Sequence, residues 1–321
     1  MILKKSKIFV AGHNGLVGSA ILRKLILKSY KNILKKTHEQ LNLEDQKQTH
    51  SFFKKHRPDV VFIAAAKVGG IYANNLYPAD FIMRNLQIQN NIFQSSYEFG
   101  VKKLFFLGSS CIYPKEINKP INEKDLLSGS LEITNQSYAI AKIAGVEACR
   151  AFNKQHSTKW LAVMPSNLYG PGDNYDLNNS HVMPALIKKI HAAKIAKKNK
   201  VIIWGSGKPM REFLYIDDLA DALLFLLEMN DKKFNLLTNK SSNPLINIGT
   251  GEDISILDLA KKISEVVGFN GNFVFDKSKP DGTYRKVLNI NKLKKLNWKY
   301  KIDLKTGLKL TYDNYKKLLN N

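Results

Sequence analysis

The chain has 321 residues, 44% hydrophobic and 24% charged, as expected of a soluble globular protein whose core is large enough to divide into two lobes. Its 50 Lys and Arg against 27 Asp and Glu leave a formal net charge of +23, which puts nucleic acid and anionic surfaces among the partners to weigh. Two cysteines, Cys111 and Cys149, make no disulfide framework and have no metal-ligand spacing around them, so a disulfide-stapled or metal-centred protein is excluded and a reducing cytoplasm is expected.

In chain order, "MILKKSKIFVAGHNG" is basic, but its apolar run is too short for a signal-peptide core. No stretch approaches the roughly 20 apolar residues of a membrane span. "KIFVAG" reads as a strand, followed by a helix over 15–27, a strand in "KNILKK", a helix over 46–55 and a strand in "DVVFIAAAK". The long helix "PADFIMRNLQIQNNIFQSSYEFG", the strand "KKLFFLGSS", the helix "SYAIAKIAGVEACRAFNKQH" and the strand "KWLAVMPSNLYG" complete the first half. Strands rich in Val, Ile and Phe without alternation belong to a parallel sheet covered on both faces. The fold class is therefore α/β, a Rossmann-type doubly wound parallel sheet.

After Gly170 the rhythm is irregular. "GPGDNYDLNNSH" is a loop, "MPALIKKIHAAKIAKK" a helix, and "KVIIWGSGKPMREFLYIDDLADALLFLLEM" a strand, a loop and a capped apolar helix. "PLINIGTGE", the helix "ISILDLAKKISEVVGF", the strand "NFVFD" and the loop "KSKPDGTYRK" follow. The expected organisation is a nucleotide-binding domain over 1–168, to which the chain returns around 211–245, and a smaller, discontinuous α/β substrate lobe over 169–321.

The lysine excess is scattered through pieces such as "LRKLILKSYKNILKK" and "NKLKKLNWKYK", several of which look like polar faces of amphipathic helices. No helix-turn-helix, zinc or RNP pattern accompanies it, so it reads as a solvated surface rather than a nucleic-acid site. A positive field still gathers phosphorylated ligands.

"VAGHNGLVGSAI" sets Gly12, Gly15 and Gly18 between the first strand and the first helix. A tight turn, close backbone approach to a pyrophosphate and the unpaired N–H groups of a helix start all belong to a dinucleotide site. The end of the second strand, where NAD sites carry an acid for the ribose, reads "ILKKTHEQ", with Lys35, Lys36 and His38 and no acid before Glu39. That favours a 2′-phosphate and hence NADP(H), although the lysines equally suit the general surface excess.

"NQSYAIAK" sets Tyr138 and Lys142 at i and i+4, on one face of a helix. A phenol titrates near pH 10, and a neighbouring ammonium together with an oxidised nicotinamide would lower it enough to exchange a proton with a carbonyl or alcohol oxygen. Ser109 ends a strand on the ligand edge, where its hydroxyl would reach the same oxygen, although "GSS" also suits a plain turn. Cys111 and a histidine in "NNSHV", His181, read by themselves as buried filler and a loop residue or as an acid–base pair.

These motifs, with "AAAKVGGI", "GSSCIYP", "MPSNLYGPGDN", "WGSGKPMREFLYIDDLA", "INIGTGEDISI" and "FDKSKPDGTYRK", resemble the extended short-chain dehydrogenases that modify nucleotide sugars, and more closely the GDP-L-fucose synthase family. The resemblance runs nearly end to end and implies NADPH-dependent 3,5-epimerisation and 4-keto reduction of GDP-4-keto-6-deoxy-D-mannose. It gives Ser109, Tyr138 and Lys142 to the reduction and Cys111 and His181 to proton exchange at C3 and C5. It lines the cofactor with Gly12, His13, Asn14, Gly15, Leu16, Val17, Gly18, Lys36 and His38, then Leu107, Gly108, Ser109 and Ser110, Tyr138 and Lys142, Pro165, Ser166, Asn167 and Leu168, and His181. Lys189, Trp204, Arg211 and Asp281 would meet the GDP-sugar. No metal is implied.

Asn14 and His38 stand where the family usually carries arginines that grip the 2′-phosphate, so NADP preference falls to Lys35, Lys36 and the missing acid. Lys189 replaces an arginine and loses its planar fork. The family forms homodimers through the Tyr138 helix and the "FIMRNLQIQNNIF" helix, though these apolar stripes equally suit packing within one subunit. Two rivals share the fold: an epimerase or reductase for another deoxysugar, and a non-catalytic dinucleotide- or RNA-binding protein, against which the Tyr138 and Lys142 pair argues.

Overall fold

In the computed structural model, which describes residues 2–177, 179–279 and 281–320, the apolar runs become short buried strands. In chain order these are β1 (Ile8–Ala11), β2 (Ile33–Leu34), β3 (Val60–Ile63), β4 (Lys103–Leu107), β5 (Trp160–Pro165), β6 (Asn167–Tyr169), β7 (Lys200–Trp204), β8 (Met210–Tyr215), β9 (Leu245–Ile248), β10 (Asp253–Ser255), β11 (Asn272–Asp276) and β12 (Arg285–Lys286). Six of them form one parallel sheet in the order β2-β1-β3-β4-β5-β9. The winding direction reverses between β1 and β3, which opens a crevice beyond their carboxyl ends.

Both faces of this sheet are dry. Ile8, Val10, Phe62, Phe105 and Val163 pack on one side with the helices Leu16–Leu27 and Ile216–Glu228. Phe9, Phe106, Trp160 and Ala162 pack on the other, against the helices Gln46–His56, Pro78–Glu98 and Gln136–His156. Successive residues of each strand thus enter different cores that are both apolar, and this is why the sequence shows no alternation. Each fully buried Phe or Ile of this kind contributes roughly 2 kcal/mol of transfer free energy.

The segment after Gly170 builds a second, smaller layer. β6, β10 and β12 pair with β8, β7 pairs with β11, and the helices Val182–Ile195, Ile256–Val267 and Leu304–Leu319 enclose a separate core around Tyr169, Ile187 and Leu259. "KWLAVMPSNLYG" therefore splits at Ser166, half in each sheet. "MREFLY", expected as loop, is the strand β8, because the polar Arg211 and Glu212 hide its pattern. The helix that follows has no side-chain cap: Tyr215 holds the N-cap position, and Asp217 and Asp218 instead place negative charge on its first turn. The chain rejoins the large sheet through this helix and β9. Among the described residues, no helix is long and apolar enough to cross a membrane.

Candidate active site

A cleft of about 690 Å³ opens beyond the carboxyl ends of β1, β3, β4 and β5. Its floor is the turn after β1. Gly12 has φ +82, and a Cβ there would lie 2.7 Å from the Ala65 nitrogen, so only glycine serves. Gly18, one turn into the helix Leu16–Leu27, sits directly on the Gly12 carbonyl, and any side chain would force helix and turn apart. The helix N-terminus then faces the cleft without an acidic residue in its first turn. A pyrophosphate fits this cradle, because the approach is glycine-smooth and the first N–H groups of the helix lack intrahelical partners.

Lys36 and His38 line one end of the cleft, while Lys35, His13 and Asn14 do not. The His13 ring is buried, and burial with the nearby Lys35 charge lowers its pKa. Gly18 too is absent from the wall and packs against the Gly12 carbonyl. At this end the sequence reading missed Leu41, Asn42, Leu43 and Arg84, whose guanidinium is held by Glu44 at 2.7–2.8 Å. The only available signal was the apolar pair in "QLNLED", which resembles any loop anchor. Opposite them, Asn85 holds the "AAAKVGG" loop by exchanging hydrogen bonds of 3.0 Å with the Lys67 backbone. Gly70 of that loop donates to the Asn179 carbonyl at 3.2 Å, which closes the cleft over its middle.

Leu107, Gly108, Ser109 and Ser110 line the wall after β4, and Pro165, Ser166, Asn167 and Leu168 the wall after β5. Tyr138 and Lys142 enter from the helix Gln136–His156, which lies close on β4 because Gly145 rests directly on the Phe106 ring. Lys142 is buried, donates to the Leu107 carbonyl at 2.8 Å and stands 5.7 Å from the centre of the Tyr138 ring. Burial brings its pKa down to about 8. Burial also pushes the Tyr138 phenol well up, with the neighbouring Cys111 adding to the effect. Taking the phenolate out of water thus acts against the lowering expected from an ammonium together with an oxidised nicotinamide.

Neither Ser109, expected to end the strand, nor Cys111 lies on β4. β4 stops at Leu107, Ser109 is extended, and Ser110–Ile112 forms a 3-10 turn. The turn brings Cys111 beside Ser109. Burial raises the thiol pKa, opposed by the Ser109 hydroxyl and by the charges of Lys286 and Lys142. His181 is exposed on the cleft wall just before the helix Val182–Ile195, with enough protein around it to lower its pKa by desolvation. Ser166 Oγ, Ser180 Oγ and Asp173 Oδ2, all on cleft residues, are buried polar atoms with no protein partner, as a wall made for a polar ligand would have.

The four residues expected at the GDP-sugar gather outside this cleft, on the second layer. Lys189 lies 4.8 Å from the centre of the Trp204 ring, which is 53% exposed. Asp281 accepts from the Ser206 N–H at 2.6 Å and from its hydroxyl at 2.7 Å, bonds that lower its pKa. Arg211 is turned inward enough for burial to lower its pKa, with Asp281 and Glu132 opposing. Lys286 stands beside it in register.

Residues 8–249 match the family model described as "NAD dependent epimerase/dehydratase family". The chain is 52% identical over 314 residues to "GDP-L-fucose synthase 1" of Arabidopsis thaliana, covering 98% of this chain and 94% of that protein. It is 48% identical over 310 residues to "GDP-L-fucose synthase" of Escherichia coli (strain K12), covering 97% and 96%. Among solved structures it resembles "MlghC, GDP-mannoheptose C4 reductase from Campylobacter jejuni with NADP bound", with TM-score 0.88, 38% identity and 98% and 100% of the two chains covered. The chain belongs to the NAD dependent epimerase/dehydratase family.

Proposed function

We propose that this chain converts GDP-4-keto-6-deoxy-D-mannose into GDP-L-fucose with NADPH, by 3,5-epimerisation and then 4-keto reduction. The observation that carries the reading is the meeting of Ser109, Tyr138, Lys142 and His181 on one cleft, with Cys111 on the turn that follows Ser109. Near 50% identity to GDP-L-fucose synthases over almost the whole chain supports the substrate.

The C4 ketone acidifies the hydrogens on C3 and C5. Cys111 and His181 act as the acid–base pair: one removes the proton, the C–H electrons pass into an enolate on the C4 oxygen, and the other returns a proton to the opposite face. The hydroxyls of Ser109 and Tyr138 hold that oxygen. Each inversion is redox-neutral. Bound in the cleft, NADPH would supply the hydride that reduces the C4 ketone. Tyr138 passes its phenolic proton to the C4 oxygen, and Lys142 favours the phenolate left behind. Gly12, Gly15, Leu16 and Val17 hold the pyrophosphate and Lys36 and His38 the 2′-phosphate; Trp204, Lys189, Arg211 and Asp281 receive the GDP-sugar, Arg211 forking onto its diphosphate.

On this reading residues 1–168, with the return around 211–245, serve NADPH, and 169–321 serve the GDP-sugar. The protein works in the cytoplasm as a homodimer that pairs the helices Pro78–Glu98 and Gln136–His156. The exposed Met83, Tyr97 and Ile140 on them support that pairing.

Likeness to a GDP-heptose C4 reductase favours one alternative, reduction of another GDP-sugar without epimerisation. Incubation with GDP-4-keto-6-deoxy-D-mannose and NADPH in deuterated water separates the two. NADPH oxidation with deuterium at both C3 and C5 is expected; reduction without exchange selects the alternative, and no oxidation removes the assignment.

A further inference from the structure

Glu212 is 1% exposed, and both of its carboxylate oxygens are occupied by backbone donors from other segments. Oε1 accepts the N–H groups of Thr250 and Gly251 at 2.6 and 2.8 Å, just beyond β9 of the large sheet. Oε2 accepts the Leu288 N–H at 2.7 Å, two residues beyond β12. One side chain on β8 thereby ties the two sheets together. The chain adjusts to it: Gly249 lies directly against Oε1, where any Cβ would displace the carboxylate.

Neighbours on a strand point to opposite faces. Glu212 therefore turns into the junction while Arg211 turns away from it, and Arg211 pairs in register with Lys286 of β12. The same junction reaches the Cys111 turn. The Val287 carbonyl accepts from the Ile121 N–H at 2.9 Å, the Ile121 carbonyl accepts from Asn247 Nδ2 at 2.9 Å, and Asn247 Oδ1 accepts from the Tyr113 hydroxyl at 2.6 Å, two residues past Cys111.

We propose that Glu212 is a positioning residue for the sugar-diphosphate half of the site: its carboxylate fixes β8 and the Leu288 segment against the end of β9, and so sets where Arg211 and Lys286 stand relative to Cys111. The proposal rests on the reading that Arg211 meets the GDP-sugar. The Glu212 carboxylate bonds no cofactor-lining residue of the cleft; it is the backbone carbonyl of Glu212, which a side-chain substitution leaves in place, that accepts from Asn167 Nδ2 at 2.8 Å, so the influence of the carboxylate falls on the nucleotide-sugar and not on NADPH.

The test is Glu212→Gln, which keeps the shape but turns an NH₂ toward backbone N–H groups. The KM for the GDP-sugar should rise about tenfold while kcat and the Kd for NADPH stay within about twofold of the parent, since a lost buried acceptor acts on the segment it held. Gly249→Ala, which pushes the carboxylate aside without removing it, should give the same split and serves if Glu212→Gln does not fold. An unchanged KM in folded protein, or NADPH affinity falling in step with KM, overturns the proposal. Parent enzyme without turnover would instead mark failure of the proposed reaction, because the split is read as a ratio to the parent.

Discussion

Lys142 Nζ donates to the Leu107 carbonyl at 2.8 Å, so the lysine that faces Tyr138 is anchored to the last residue of β4. The bond fixes the ammonium at the strand end where the wall of the cleft begins, and burial holds its pKa near 8, down to about 8 from the ordinary 10.5. A lysine lowered in this way costs stability below its folded pKa, and the cost fades as pH rises from about 8 to 10.5.

Lys142→Met should therefore separate stability from activity. Turnover should fall about a hundredfold or more. The fold should gain on the order of 1 kcal/mol at pH 7, because removal of a desolvated charge exceeds the loss of one hydrogen bond, and the gain should shrink by pH 10. Denaturant melts at both pH values, with NADPH oxidation, check this; destabilisation at pH 7 would contradict the charge argument.

Cys111→Ser tests the thiol as an acid or base. The variant should bind NADPH as the parent does, since Cys111 is not on the cleft wall, and lose exchange at C3 and C5 about a hundredfold. Proton NMR in deuterated water reads the exchange directly. Exchange at the parent rate would return Cys111 to the role of a buried filler.

Asp173 carries a pH prediction outside the proposed chemistry. Burial pushes its carboxyl up to about 7 from 3.8, and Oδ2 has no protein partner. A raised acid leaves the fold intact below pH 4 and costs stability as pH rises toward 7, where the unfolded chain ionises freely and the folded one does not. Asp173→Asn should raise stability by about 1 kcal/mol or more at pH 8 and by little near pH 4. Thermal melts across that range decide it, and a gain independent of pH would mean that packing and not ionisation is responsible.

Much of the fold was legible because parallel strands buried on both faces leave long apolar runs, and because the Gly12 turn and the Tyr138–Lys142 spacing are local features. β8 was not legible. Its pattern is broken by Arg211 and Glu212, whose partners lie at Lys286, Thr250 and Leu288, far along the chain. Nor was the end of the cleft beside Lys36 and His38, where Leu41 to Leu43 acquire meaning only beside Arg84.

By itself the sequence determined the class of fold and the cradle for a dinucleotide, since these follow from residue type and short-range spacing. Only the tertiary structure decided how the candidate side chains are charged and placed. Burial raises the Tyr138 phenol; a 3-10 turn carries Cys111 beside Ser109; and Glu212 joins segments that no local pattern connects. Desolvation and long-range hydrogen bonds depend on what surrounds a residue, and the surroundings exist only once the chain has folded.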